Sequence, residues 1–146
     1  MARKNVILIV DDDIMNLTMA QTILEMKIDA EYITASSGQE CLQIMQQRNG
    51  LIDLILLDIA MPGMDGIQTL TQIRSHPTWK NIHVIFLTAA ADKNTIVRAA
   101  SLKVKDYVKK PFTPDDLISR VEKHLAPAFE DKEINDIFKA LDNLGL

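Results

Sequence analysis

Three carboxylates, one hydroxyl and one amine stand where short apolar runs break off. Asp11 and Asp12 follow the run at residues 6–10, and Asp58 closes Leu54-Ile-Leu-Leu57. Thr88 follows residues 82–87, and Lys110 lies just past the short run at 106–108. Continuously apolar, β-branched runs of this length read as strands of a parallel sheet buried on both faces. In an open α/β sheet, ligands bind in the crevice outside the carboxyl ends of the strands. The sequence therefore delivers all five groups to one edge. Carboxylates pressed together repel, and they ionise together only around a cation. Hard oxygen donors in an open, hydrated setting favour Mg²⁺ (or Mn²⁺). Such an ion would also neutralise an incoming phosphoryl group, which carries about two negative charges. Lys110 adds a point charge and Thr88 a hydroxyl donor for its oxygens. Electrostatic positioning of this kind is most of what phosphoryl transfer asks of a protein. Asp58 is then the nucleophile, forming an acyl phosphate.

The intervening segments must be helices that hold these ends in place. Residues 14–26 lack Gly and Pro and present Ile14, Leu17 and Leu24, with Met19, Ile23 and Met26 on a neighbouring stripe. Ser37 with Glu40 is a capping-box signature for a helix carrying Cys41, Leu42 and Met45, stopped by Gly50. Pro62, Gly63 and Gly66 force a loop after Asp58, and Asp65 with Gln68 caps a helix that turns Ile67, Leu70 and Ile73 inward. Asp92 caps a helix to about Leu102. Thr113-Pro114-Asp115-Asp116 starts another, with a cap, Pro at the first helical position and acid in the first turn; Leu117, Ile118, Val121 and Leu125 form its buried face. Strand and helix alternate five times, which defines an α/β class with a parallel sheet. Pro127 closes this unit, so residues 1–126 form one domain and 127–146 an amphipathic helical extension. There Ile134, Ile137, Phe138, Leu141 and Leu144 make one apolar stripe opposite an acidic face.

The 146 residues suffice for one buried core, and 47% hydrophobic with 25% charged residues is ordinary for a globular protein. The net charge of −4 argues against nucleic acid or an anionic membrane as a partner. No apolar run approaches the roughly 20 residues of a membrane span. A single cysteine, Cys41, excludes an internal disulfide framework and suits a reducing cytoplasm.

The pieces Val10-Asp11-Asp12-Asp13, Leu57-Asp58-Ile-Ala-Met-Pro-Gly-Met-Asp-Gly66, Leu87-Thr88-Ala89 and Tyr107-Val-Lys-Lys110-Pro-Phe112 occur in that order at strand ends. Together they resemble the receiver domain of two-component response regulators (CheY-like), over residues 5 to about 125. The resemblance implies a flavodoxin-like five-stranded sheet of order 2-1-3-4-5 flanked by five helices. It implies that Asp58 takes its phosphoryl group from a histidine kinase or histidine phosphotransfer protein. Asp12, Asp58 and the Ala60 backbone carbonyl would ligate Mg²⁺, with Asp11 acting through water. Thr88 and Lys110 would contact the phosphoryl oxygens, and Lys110–Pro111 would be a cis peptide. Movement of Thr88 would let Tyr107 turn inward. That turn would reshape the face of the fourth helix, fifth strand and fifth helix, where a protein target, an output domain or a second copy would bind.

The remaining polar residues read as structural. Asp13 and Asp65 are helix caps and Lys109 is a surface charge. Cys41 is a core residue, Trp79 covers a core edge, and His76, His83 and His124 lack ligand spacing. An aspartyl-nucleophile phosphatase would need a second acid two positions past Asp58, where Ala60 stands. A nucleotide-binding sheet would need a glycine-rich cradle after the first strand, where three aspartates stand. A calcium loop would need a third ligand and a turn glycine that Met15 and Asn16 do not supply. Two departures from the receiver pattern carry expectations. Lys103-Val104 replaces the usual Gly-Ala, at a cost if the first residue is left-handed. Ala60 and Ala90 cannot orient a water, so the phosphoryl group should be lost slowly.

Overall fold

The structure, a computed structural model, describes residues 4–89, 93–125, 137 and 139–145. Strands β1 (Asn5–Val10), β2 (Ala30–Ala35), β3 (Leu54–Asp58), β4 (His83–Thr88) and β5 (Asp106–Lys109) alternate with helices α1 (Ile14–Glu25), α2 (Gly38–Gln47), α3 (Gly66–Ser75), α4 (Lys93–Ser101) and α5 (Pro114–His124). The strands form one sheet in the order β2-β1-β3-β4-β5, and every pairing is parallel. Successive side chains of a strand point to opposite faces, so β1, β3 and β4 feed two cores. Leu8, Val10, Ile55, Leu57, Val84 and Phe86 meet Cys41, Met45, Ile67, Leu70 and Ile73 of α2 and α3. On the other face, Ile7, Ile9, Leu54, Leu56, Ile85 and Leu87 meet Leu17, Ala20, Ile23 and Leu24 of α1 and Leu117 and Val121 of α5. Among the described residues no helix is long and apolar enough to cross a membrane.

The helix starts follow their cap chemistry. Asp65 and Gln68 close a full capping box on α3, and Thr113 caps α5 with Pro114 in its first turn. Ser37 caps α2 through the Glu40 N–H, but the box is not closed as predicted. The Glu40 carboxylate accepts from the Ser36 N–H and hydroxyl instead. The stripe predicted for α1 also needs correction. Ile14, Met19 and Met26 are exposed, and Ala20 is fully buried instead. A small residue lets α1 lie close on the sheet beside α5, and that packing rotates the methionines outward. The expected Asp92 cap, and most of the proposed 127–146 helix, lie outside the described residues. Residues 139–143 are helical.

Candidate functional site

The edge of the sheet at the carboxyl ends of its strands holds a cleft of about 590 Å³. Asp11, at the tip of β1, is 1% exposed, and Asp58, the last residue of β3, is 4% exposed. The chain turns sharply after Asp58. Ile59 N–H donates to the Leu87 carbonyl and Gly66 N–H to the Ile59 carbonyl. A Cβ on Gly66 would run into the Asp58 carbonyl oxygen, so only glycine fits where α3 begins. Asp12 is exposed beside them, and Asp11, Asp12 and Asp58 each offer a carboxylate oxygen within 4.8 Å of the others. Three hard oxygen donors so placed suit a divalent hard cation. Thr88 ends β4 and is buried; Ala60 and Ala89 complete the rim.

Lys110 reaches this cluster from the loop after β5. Its Nζ lies 2.6 Å from Asp11 Oδ2 and 3.1 Å from Asp58 Oδ1, and its N–H donates to the Thr88 carbonyl. The Lys110–Pro111 peptide is cis. Burial pushes the Asp58 carboxyl from 3.8 up to about 6. The Lys110 hydrogen bond works against that rise, and the charges of Asp11 and Asp12 add to it. Burial alone would lower the Lys110 ammonium, but its hydrogen bonds and attraction to Asp11 and Asp58 hold it above its ordinary value. The arrangement is a buried, electron-rich carboxylate oxygen beside a fixed cation and a hydroxyl, open to solvent on one side.

Tyr107 stands apart from the cleft, in register with Phe86 on β4. Its ring centroid lies 6.4 Å from that of Phe86, and its hydroxyl donates to the Ile96 carbonyl of α4 at 3.3 Å. Burial, and then the charge of Asp106, raise its phenol above the usual value. Asp13 accepts from Met15 N–H as the cap of α1, and Lys109 is exposed. Cys41 is buried and its thiol is pushed up to about 12 by that burial. His76 stacks on Trp79 at 3.7 Å between ring centroids. His124 Nε2 lies 3.0 Å from Asp106 Oδ2, and His83 Nδ1 lies 3.1 Å from the His124 carbonyl. Two residues that line the cleft were given no role there by the sequence: Thr95 drew no reading, and Asn16 entered only the rejected calcium loop. Asn16 falls one helical turn past Asp12, a spacing that could have pointed to it.

A parallel sheet of this order with acids, a hydroxyl and a lysine at its carboxyl edge defines a phosphoacceptor signalling fold. Residues 7–122 match the family model described as "Response regulator receiver domain". The transcriptional regulatory protein YvrH of Bacillus subtilis (strain 168) is 32% identical over 127 residues, covering 87% of this chain and 52% of that protein. The chain thus spans about half the length of this curated relative. The Vibrio cholerae chemotaxis protein CheY4 superposes with a TM-score of 0.77 at 25% identity, covering 84% of this chain and 100% of that one. The phosphorylated cyanobacterial phytochrome response regulator RcpA superposes at 0.71 with 28% identity, covering 83% and 91%. The chain belongs to the response-regulator receiver family. Receiver domains of response regulators work with histidine kinases, and this family is one of signalling folds.

Proposed function

We propose that Asp58 is the phosphoacceptor of a two-component receiver and that its donor is the phosphohistidine of a histidine kinase or phosphotransfer protein. The observation that carries this reading is the juxtaposition at one sheet edge of buried Asp58, the acid pair Asp11 and Asp12, and the Lys110 ammonium 3.1 Å away. An Asp58 carboxylate oxygen attacks phosphorus, the P–N bond breaks, and the imidazole leaves with the electron pair. Asp12, Asp58 and the Ala60 carbonyl would hold Mg²⁺ (or Mn²⁺) directly, with Asp11 acting through water. The ion supplies charge neutralisation for the phosphoryl oxygens. Lys110 and the Thr88 hydroxyl orient those oxygens.

Once Asp58 is charged, Thr88 moves toward the phosphoryl group and Tyr107 turns into the space behind it. The single hydroxyl tie from Tyr107 to the Ile96 carbonyl then changes, and with it the α4–β5–α5 surface. That surface binds a protein target, an output domain of a longer regulator, or a second copy. Residues 1–126 are the receiver domain and 127–146 a helical extension from it, and the protein works in the cytoplasm.

The test is Mg²⁺-dependent uptake of acetyl phosphate or beryllofluoride. One phosphoryl group should appear on the wild-type chain and none on Asp58→Asn. Label on another residue, or uptake by Asp58→Asn, would overturn the assignment.

A further inference from the structure

Most polar side chains that line the cleft have an intramolecular task, and Asp12, which has no hydrogen-bond partner among the described residues, is the exposed acid of the proposed metal site. Asp13 caps α1 through the Met15 N–H. Asp11 holds the Asp13 N–H with one oxygen and Lys110 with the other. Thr88 and Thr95 each have a partner. Asn16 differs. It lines the same cleft and is half-buried, yet among the described residues its carboxamide has no hydrogen-bond partner.

The cap of α1 explains why. Counted from the N-cap Asp13, Asn16 is the third helical residue. A polar side chain there ordinarily reaches back to the N–H of the cap. Here that N–H is already taken by Asp11 Oδ1 at 2.9 Å. Asn16 therefore keeps one carbonyl acceptor and two N–H donors unspent at the cleft. Its neighbours on the rim, Ile59, Ala60 and Ala89, offer only apolar side chains.

We propose that Asn16 orients the water that removes the phosphoryl group from Asp58, an inference that rests on Asp58 being the acceptor. The water oxygen bonds to phosphorus. The bond from phosphorus to the Asp58 oxygen breaks, its electron pair returns to the carboxylate, and the water proton leaves with inorganic phosphate. The Asn16 carbonyl accepts from the water and fixes its approach. A carboxamide is suited to this cleft because it is neutral and adds no negative charge beside three carboxylates. It is also no base, so it positions the water without deprotonating it, and turnover stays slow.

The test loads the full chain with acetyl phosphate and Mg²⁺, removes the donor, and follows decay of the phosphorylated species by mass spectrometry. Asn16→Ala should decay about threefold to tenfold more slowly than wild type, the worth of one neutral hydrogen bond. Asn16→Gln should recover part of the rate. Beryllofluoride affinity in Mg²⁺ should stay within about twofold of wild type, because the bound group itself is not held by Asn16. Alanine is the better helix former, so the variant keeps α1. Decay of Asn16→Ala at the wild-type rate or faster would overturn the inference. So would a slower decay that tracks a matching loss of beryllofluoride affinity. Failure of the wild-type chain to accept any phosphoryl group would be a separate result, overturning the acceptor assignment and this inference with it.

Discussion

Asp58 sits in the molecule as an anion that its surroundings disfavour. Burial lifts its carboxyl from 3.8 to about 6, so the folded chain holds that proton more tightly than the unfolded chain does. Stability must then fall as pH rises between those two values, and the loss is complete above the upper one. Replacing Asp58 by Asn removes the penalty and leaves Lys110 paired with Asp11. Without divalent cations, Asp58→Asn should be more stable than wild type by about 1–2 kcal/mol near neutral pH, less than a two-unit shift would imply because the cleft is open to water. The difference should fade toward pH 4. Urea melts at several pH values measure it, and an Asn variant less stable than wild type at neutral pH would contradict the argument. Adding Mg²⁺ should raise the melting temperature of wild type clearly and that of the variant little, because binding to the folded state alone stabilises it.

Between elements, the α4–β5 turn shows what the sequence reveals and what it hides. Lys103 stood out as a residue where glycine is usual, and it is left-handed, at φ 58°. What holds the turn was not legible. Arg74, at the end of α3, donates to the carbonyls of Ile82, Leu102 and Lys103 at 2.7, 2.7 and 3.3 Å, and the Lys103 bond spans 29 residues of chain. Burial lowers its guanidinium below the ordinary value, and no carboxylate pairs with it among the described residues. Lys103→Gly should therefore stabilise the protein by about 0.5–1 kcal/mol, the relief of a left-handed side chain less the entropy glycine brings to the unfolded chain. Arg74→Met should destabilise it by about 2–3 kcal/mol, because three carbonyls lose a charged donor. Chemical denaturation of both variants decides the matter; equal effects of the same sign would refute the clamp. At the start of β5, Asp106 is held below the usual carboxylate range. Burial would raise it, but the Tyr107 N–H, His124 and Arg120 outweigh that. Its contribution is complete above 3.8 and should disappear as pH falls through the lowered value, so Asp106→Asn should lose stability at neutral pH and not in strong acid. The strands, caps and strand-end acids were readable because each is a local pattern. The inward stripe of α1, the freedom of Asn16 and the reach of Arg74 depend on what a distant segment already occupies, and no local pattern carries that.

At the scale of the whole molecule, the sheet is covered on one face by α2 and α3 and on the other by α1 and α5, and neither core has a member past Leu125 among the described residues. Beyond that point Ile137, Leu141 and Leu144 are 56%, 37% and 71% exposed. They lie three and four residues apart, a spacing that would line them up on one side of a helix, and as exposed apolar surface they call for a partner. Removing residues 127–146 should leave the melting temperature within about 2 °C of the full chain, which for a domain of this size is less than 1 kcal/mol. Mg²⁺-dependent phosphoryl uptake on Asp58 should be unchanged. If the stripe serves as a contact between copies, the full chain should shift toward dimer at high concentration in sedimentation runs while the shortened chain stays monomeric. A fall of 10 °C or more on truncation would instead mean that the extension is part of the folded unit, and the boundary at residue 126 would be wrong.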